Sequence, residues 1–204
     1  TLDLSNNINY VHTEWNNSYK EVFMGDYQSN SEGSSVSDII NSINKYYEFN
    51  LRRNKFGVPL GVFNGFTNTE LPEKVESYYY GQSLPFALRA VESFKNFING
   101  INYDLNDENN TGLDDYLNFT TVMDVDPLTG QETGILLSEA INNQLNEIKV
   151  ALNNLNDPLS NEIISNKSSV EDAYSKLQAL VVKLKIDLSS ALGVQITYQD
   201  VDGD

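Results

Sequence analysis

The stretch Leu137-Ser138-Glu139-Ala140-Ile141-Asn142-Asn143-Gln144-Leu145-Asn146-Glu147-Ile148-Lys149-Val150-Ala151-Leu152-Asn153-Asn154-Leu155 decides the fold. Leu137, Ile141, Leu145, Ile148, Leu152 and Leu155 recur every three or four positions, and Asn, Gln, Glu and Lys fill much of the remainder. That is the period of one apolar helix face; a strand would alternate every second residue. Pro158 bounds the run. Downstream, Ser168 with Glu171 has the form of a capping box. Ala173, Leu177, Leu180, Leu184, Leu188 and Ala191 follow as a second stripe, closed by Gly193.

Working toward the N-terminus, Leu84, Ala87, Val91, Phe94 and Ile98 make a third stripe. It opens around Ser83 with Pro85 in its first turn, where a missing amide is tolerated, and stops at Gly100. A capping box of Ser35 with Asp38 opens a fourth (Val36, Ile40, Ile43, Tyr47, Leu51), expected to end near Gly57 before Pro59 and Gly61. Leu4, Ile8, Val11, Trp15, Tyr19 and Val22 form a fifth, ending near Gly25. The expected fold is all-α: one helical domain spanning residues 1–204, a bundle of about four to five amphipathic helices with long loops. The connections run over residues 57–82 and from Asn102 to about Thr133, the second with a short helix at Leu113–Phe119. No strand pairing is expected, and only Val194–Tyr198 has the character to extend briefly.

Bulk properties narrow the function. The chain carries 29 acidic against 13 basic side chains, a net charge of −16, and its pI is about 4.3. It would repel a phosphate backbone and has no basic stripe, so nucleic acid is excluded as a partner. There is no cysteine, which removes disulfides, thiolate chemistry and Cys-based zinc sites. No apolar run is long enough to cross a bilayer, and no signal peptide is visible. With Thr1 first and no initiator Met, the expectation is a removed leader or a piece of a longer protein.

Three segments are candidates for chemistry. Glu73-Lys74-Val75-Glu76-Ser77-Tyr78-Tyr79-Tyr80-Gly81-Gln82-Ser83-Leu84 sets a Glu-Ser pair and three tyrosines at a loop-to-helix junction. Ordinary connectors are built from turn residues, whereas tyrosines offer apolar area with a polar tip, suited to a pocket wall or an interface. Glu76, Ser77, Tyr79 and Ser83 are its candidate binding residues, against the alternative of a loop that only packs. Asp107, Asn109, Thr111 and Gly112 match the first half of an EF-hand loop, and Asp107, Asn109 and Thr111 are candidate calcium ligands. The match fails at Asn118, where a bidentate Glu belongs, and a solvated acidic loop is the alternative. Asp200, Asp202 and Asp204 alternate and could bind calcium weakly, with a solvated tail the favoured reading. His12 is the single histidine. It is expected as a packed, hydrogen-bonded side chain at the stripe's edge, since Glu14 at i+2 lies on the wrong side to share a metal. Two-histidine metal motifs, hydrolase elbows, Walker loops and dinucleotide fingerprints are all missing.

The order of the pieces brings a family into view. His12-x-x-Trp15 lies in the first helix, and the second helix ends in Phe56-Gly57-Val58-Pro59-Leu60-Gly61. Glu76-Ser77-Tyr78-Tyr79 and Ser83-Leu84 then open a helix ending in Ile98-Asn99-Gly100. Gly112-Leu113-Asp114-Asp115-Tyr116-Leu117 follows, then Leu192-Gly193-Val194 and a closing Asp202-Gly203-Asp204. This order resembles the C-terminal half of imelysin-like proteins, the family also called peptidase M75. The resemblance implies an all-helical protein of two halves, exported by bacteria, often as a surface or periplasmic lipoprotein, and associated with iron acquisition. It implies an N-terminal half as partner, a cleft between the halves, an iron-related or peptide ligand, and membrane attachment only through a lipid anchor outside this chain. A divalent metal, iron or calcium, is the candidate cofactor. The family's Gly-x-His-x-x-Glu signature is absent: Tyr10 and Trp15 stand where its glycine and glutamate would be. Tyr80 and Phe86 replace a serine and an acid customary around the Glu-Ser-x-Tyr junction. The expectation is therefore a non-catalytic helical domain. The alternatives are part of a metallopeptidase whose ligands lie outside this chain, and a structural domain with weak calcium binding.

Overall fold

The computed structural model describes residues 2–25, 30–101 and 111–198, and it is an all-α bundle with one small two-stranded sheet. Helix α1 is Leu2–Glu14, carried on through a wider π-type stretch at Trp15–Tyr19 and then Lys20–Gly25. Helix α2 is Ser35–Lys45 continued by Tyr46–Gly57, and α3 is Leu84–Ile98. The short α4 is Leu113–Phe119. Strands β1 (Met123–Val125) and β2 (Glu132–Leu136) pair antiparallel and lead straight into α5, Leu137–Asn153. Helix α6 is Leu159–Ser165, and α7 is Lys167–Val182 continued by Lys183–Leu188 and Ser189–Ala191. No helix among the described residues is long and apolar enough to cross a membrane.

The stripe that opens the sequence reading is the centre of the core. Leu137, Ile141, Leu145, Ile148 and Leu152 are all essentially inaccessible to solvent, and α5 packs against α7 on one side and α3 on the other. Helix α2 packs against α7, where the Tyr47 ring meets Phe94 of α3 at 5.2 Å in a tilted contact and its hydroxyl donates to Leu177 O at 2.8 Å. Each of these helices buries its apolar stripe, which is the source of their stability in the bundle; α2 also buries Asn44, Glu48 and Arg52.

The same pattern misleads for α1. Its stripe predicts a bundle member, yet no residue of Leu2–Gly25 is buried. Its link to the body is local, the Ser35 hydroxyl donating to Phe23 O at 2.7 Å. Two caps also move. Ser34, not Ser35, caps α2, its Oγ accepting from Ser37 N at 3.3 Å. Ser168 lies inside α7, which starts from Asn166, and Ser169 Oγ donates to Asn166 Oδ1 at 2.9 Å. Glu171 pairs instead with Lys167 one turn back at 3.6 Å. The hairpin corrects the expectation of no strand pairing: Asp126 Oδ1 gathers the amides of Leu128 and Thr129 at 2.8 and 3.2 Å, folding the loop tightly enough for short strands to pair. Val194–Tyr198, by contrast, pairs with no strand among the described residues.

Two glycines close the base of the segment between α3 and α4. A Cβ on Gly100, at φ +61°, would lie 2.5 Å from the Thr111 carbonyl carbon, and one on Gly112 would lie 2.5 Å from Gly100 N. Only glycine lets the backbones meet there.

Candidate functional site

The tyrosine junction is built around a tight turn. Ser77 sits in the left-handed region at φ +57°, and its carbonyl accepts from both Tyr80 N and Gly81 N at 2.9 Å. A non-glycine residue held there stores strain of about 1 kcal/mol or more, a cost found where a side chain must be aimed. Val75 plugs the core at one end of the turn while the three rings are thrown outward: Tyr78 and Tyr80 are exposed, and Tyr79 wholly so. Tyr78 and Tyr79 meet edge to face at 5.3 Å.

Around this turn the four candidate residues separate. Glu76 is partly exposed and forms an ion pair with the well-covered Lys55 of α2. Tyr79 lies fully exposed at the surface, its ring touched by Tyr78. Ser77 shapes the turn. Ser83 is buried, its hydroxyl donating to Glu76 O at 2.5 Å, so it ties the junction to α3 and does not face a ligand. Nor does it cap α3 with its own side chain. The cap comes from Asp157, in the α5–α6 connection: its carboxylate accepts from Ser83 N at 3.0 and 3.1 Å and from Leu84 N at 3.3 and 3.1 Å. It also takes Leu159 N at 3.2 Å. A negative group at the orphan amides of a helix start is favourable both as hydrogen-bond acceptor and against the helix dipole.

Glu76 lines an open cleft together with Tyr46, Asn50, Asn54, Lys55 and Lys74. Tyr46, Asn50 and Asn54 step by four along the outer face of α2, a spacing that sets successive residues one above the other. The cleft therefore offers a ring, two amides and two lysines against one acid, in a chain whose net charge is −16. None of these residues apart from Glu76 is singled out by the sequence, although the i, i+4, i+8 spacing of Tyr46, Asn50 and Asn54 was there to be read.

The remaining candidates do not join this site. Asp107 and Asn109 lie outside the described residues. Thr111 is exposed; Gly112 N donates to Asp115 Oδ2 at 3.1 Å at the start of α4; and Asn118 accepts from Ser138 Oγ at 2.5 Å. Gly112 and Asn118 thus have structural employment. His12 is exposed on α1, which corrects the expectation of a packed ring; its Nε2 lies 3.1 Å from Asn16 Nδ2. Among the described residues no three of His, Asp and Glu converge in a way that could hold a metal ion.

Two polar clusters inside the bundle complete its electrostatics. Buried Glu48 faces Arg52 at 3.6 Å and Lys185 at 3.3 Å, and accepts from the Tyr198 hydroxyl at 2.7 Å. Asp124 of β1 is buried and pairs with Lys183, while Thr133 Oγ1 donates to its other oxygen at 3.0 Å. Desolvation raises the pKa of nearby Asp187, with Lys183 opposing and Asp124 reinforcing the shift. Comparison with protein-family models, with curated proteins and with solved structures finds no match to this chain.

Proposed function

We propose that the chain is a non-catalytic binding domain, and that its working surface is the Glu76 cleft with the exposed tyrosine turn beside it. The observation that supports this most is the turn itself: Ser77 is held in a strained conformation whose result is to expose three aromatic rings next to a polar cleft. Rings of this kind, with large area and few rotatable bonds, are typical anchors of recognition surfaces.

Together with the resemblance, the surface is read as one wall of the cleft between the two halves of an imelysin-like protein. On that reading the protein is exported by bacteria to the periplasm or cell surface, as a processed lipoprotein, and serves iron uptake. An N-terminal half carrying the Gly-x-His-x-x-Glu signature, supplied as a separate chain, is the probe. Tyr79→Ala and Glu76→Ala should each weaken its association at least tenfold in titration calorimetry while leaving thermal unfolding within about 0.5 kcal/mol, because both side chains reach solvent. Ser83→Ala, which removes a buried hydroxyl, should instead lower stability. Unchanged association in both surface variants would refute the assignment.

A further inference from the structure

The last described segment, Val194–Tyr198, lies on the bundle as a bound peptide lies in a groove. Burial alternates along it: Val194 is buried, Ile196 and Tyr198 are half-buried, and Gln195 and Thr197 are exposed. That is the alternation of an extended chain with one side against a surface. Its backbone is held by a side chain. Asn41 of α2 donates from Nδ2 to Gln195 O at 3.0 Å and accepts at Oδ1 from Thr197 N at 2.7 Å, the carbonyl and the amide that a neighbouring strand would take. Tyr198 is the anchor. Its hydroxyl donates to Glu48 at 2.7 Å, its ring centre lies 5.5 Å from the Lys185 ammonium, and it meets Phe49 edge to face at 6.1 Å.

We propose that this face of α2 and α7 is a peptide-binding groove for an extended segment of the pattern apolar-x-apolar-x-Tyr, and that the chain's own Val194–Tyr198 occupies it in cis. The groove shares no residue with the Glu76 cleft. Two observations set the contact apart from plain packing. First, a strap that only packs needs apolar contacts, yet this one ends on Glu48, which is 3% exposed and also faces Arg52 and Lys185. Burying such a cluster adds little to stability. It does discriminate a ring with a hydroxyl from one without, because phenylalanine would leave Glu48 Oε2 without the donor that tyrosine brings. Second, the occupant fits imperfectly. Asn44 is 2% exposed and lines the same pocket as Glu48, Lys185 and Tyr198. Its Nδ2 is used by Leu184 O and Ser189 Oγ at 3.3 and 3.2 Å, but its Oδ1 meets no donor among the described residues. An unmet acceptor beside the anchor weakens the cis occupant and leaves it displaceable.

The tether sets the expected behaviour. The strap joins α7 through the turn at Gly193, at φ +65°, so it faces its own groove at an effective concentration in the millimolar range. A free peptide of the same sequence competes poorly with it, its apparent affinity reduced by the fraction of time the groove stands empty. Weakening the strap without touching the groove raises that fraction, so a strap variant should bind the free peptide better than the parent does. A strap that is only a structural fastener gives no such gain.

Fluorescence anisotropy tests the proposal, with the whole 204-residue chain titrated into a labelled, C-terminally amidated peptide Val-Gln-Ile-Thr-Tyr, the chain's own residues 194–198. Tyr198→Ala removes the strap's anchor, and Thr197→Pro removes the amide that Asn41 accepts. Each variant should bind the peptide at least about tenfold more tightly than the parent. Adding Asn41→Ala to either should cancel the gain. A peptide ending in phenylalanine should bind the Tyr198→Ala chain about tenfold more weakly than the tyrosine peptide, since it brings Glu48 no donor. No gain in strap variants whose far-ultraviolet circular dichroism matches the parent would overturn the proposal. A gain that survives Asn41→Ala would place the peptide on another surface and overturn it equally. If both strap variants lose helix content, the segment is a fastener of the bundle and the proposal fails.

Discussion

Replacing Asp157 with alanine is the sharpest test of how the junction is held. The carboxylate accepts from the two amides that start α3, Ser83 N and Leu84 N, and from Leu159 N. Loss of a side-chain cap costs about 0.5–2 kcal/mol, and loss of a negative charge at a helix start adds about 0.3–1 kcal/mol. Ser83 is buried, so its amide finds no water in place of the lost oxygen, which pushes the cost toward the upper end. Together these give about 2–3 kcal/mol, or a fall in Tm of roughly 5–10 °C for a chain of this size. Asp157→Asn keeps one acceptor and loses the charge, so it should cost about half as much. Urea unfolding followed by far-ultraviolet circular dichroism measures both; the single tryptophan, on the uncovered α1, does not report on the core. A cost under about 0.5 kcal/mol for Asp157→Ala would show that the carboxylate is an ornament of the turn and that α3 is held by packing alone.

Three further outcomes follow from the interior. Glu48→Gln removes the carboxylate that Arg52 and Lys185 share and should cost about 1.5–3 kcal/mol in the same urea assay, the range for losing a hydrogen bond to a charged group. Ile148→Ala empties a fully buried site in α5 and should cost about 2–5 kcal/mol. Asp187 has a raised pKa because burial disfavours its charge. Ionisation in the folded state therefore opposes folding, and this group makes stability fall as pH rises from the unfolded pKa through the raised one. Asp187→Asn should raise Tm at pH 7, and the gain should shrink as the pH drops below the ordinary carboxylate range; an equal gain at all pH values would refute the burial account.

Some of this molecule is readable from spacing alone. The stripe from Leu137 to Leu152 and the short helix Leu113–Phe119 appear where the sequence puts them, because each apolar position has a core to enter. Periodicity says which side of a helix is apolar but not what covers it, which is why α1 reads as a bundle member and stands outside. Helix α6 has only Leu159 and Ile163 on its buried side, too few to show a period. The strands are three and five residues long, and only the Asp126-Pro127 turn chemistry marks them. The cleft was half legible. Glu76 stood out among tyrosines, but its ion pair with Lys55 spans 21 positions and the cap from Asp157 spans 74 to Ser83. Contacts made across the fold leave no local trace.

The glycine neck at the base of the α3–α4 connection has an entropic consequence. Gly100 meets Thr111 and Gly112 backbone to backbone, so the path between α3 and α4 is closed before the intervening residues begin. Lengthening a loop whose ends are already joined costs only about 0.6 kcal/mol per doubling. The entropic cost of closing the chain there is thus largely met at the neck, provided the two glycines stay.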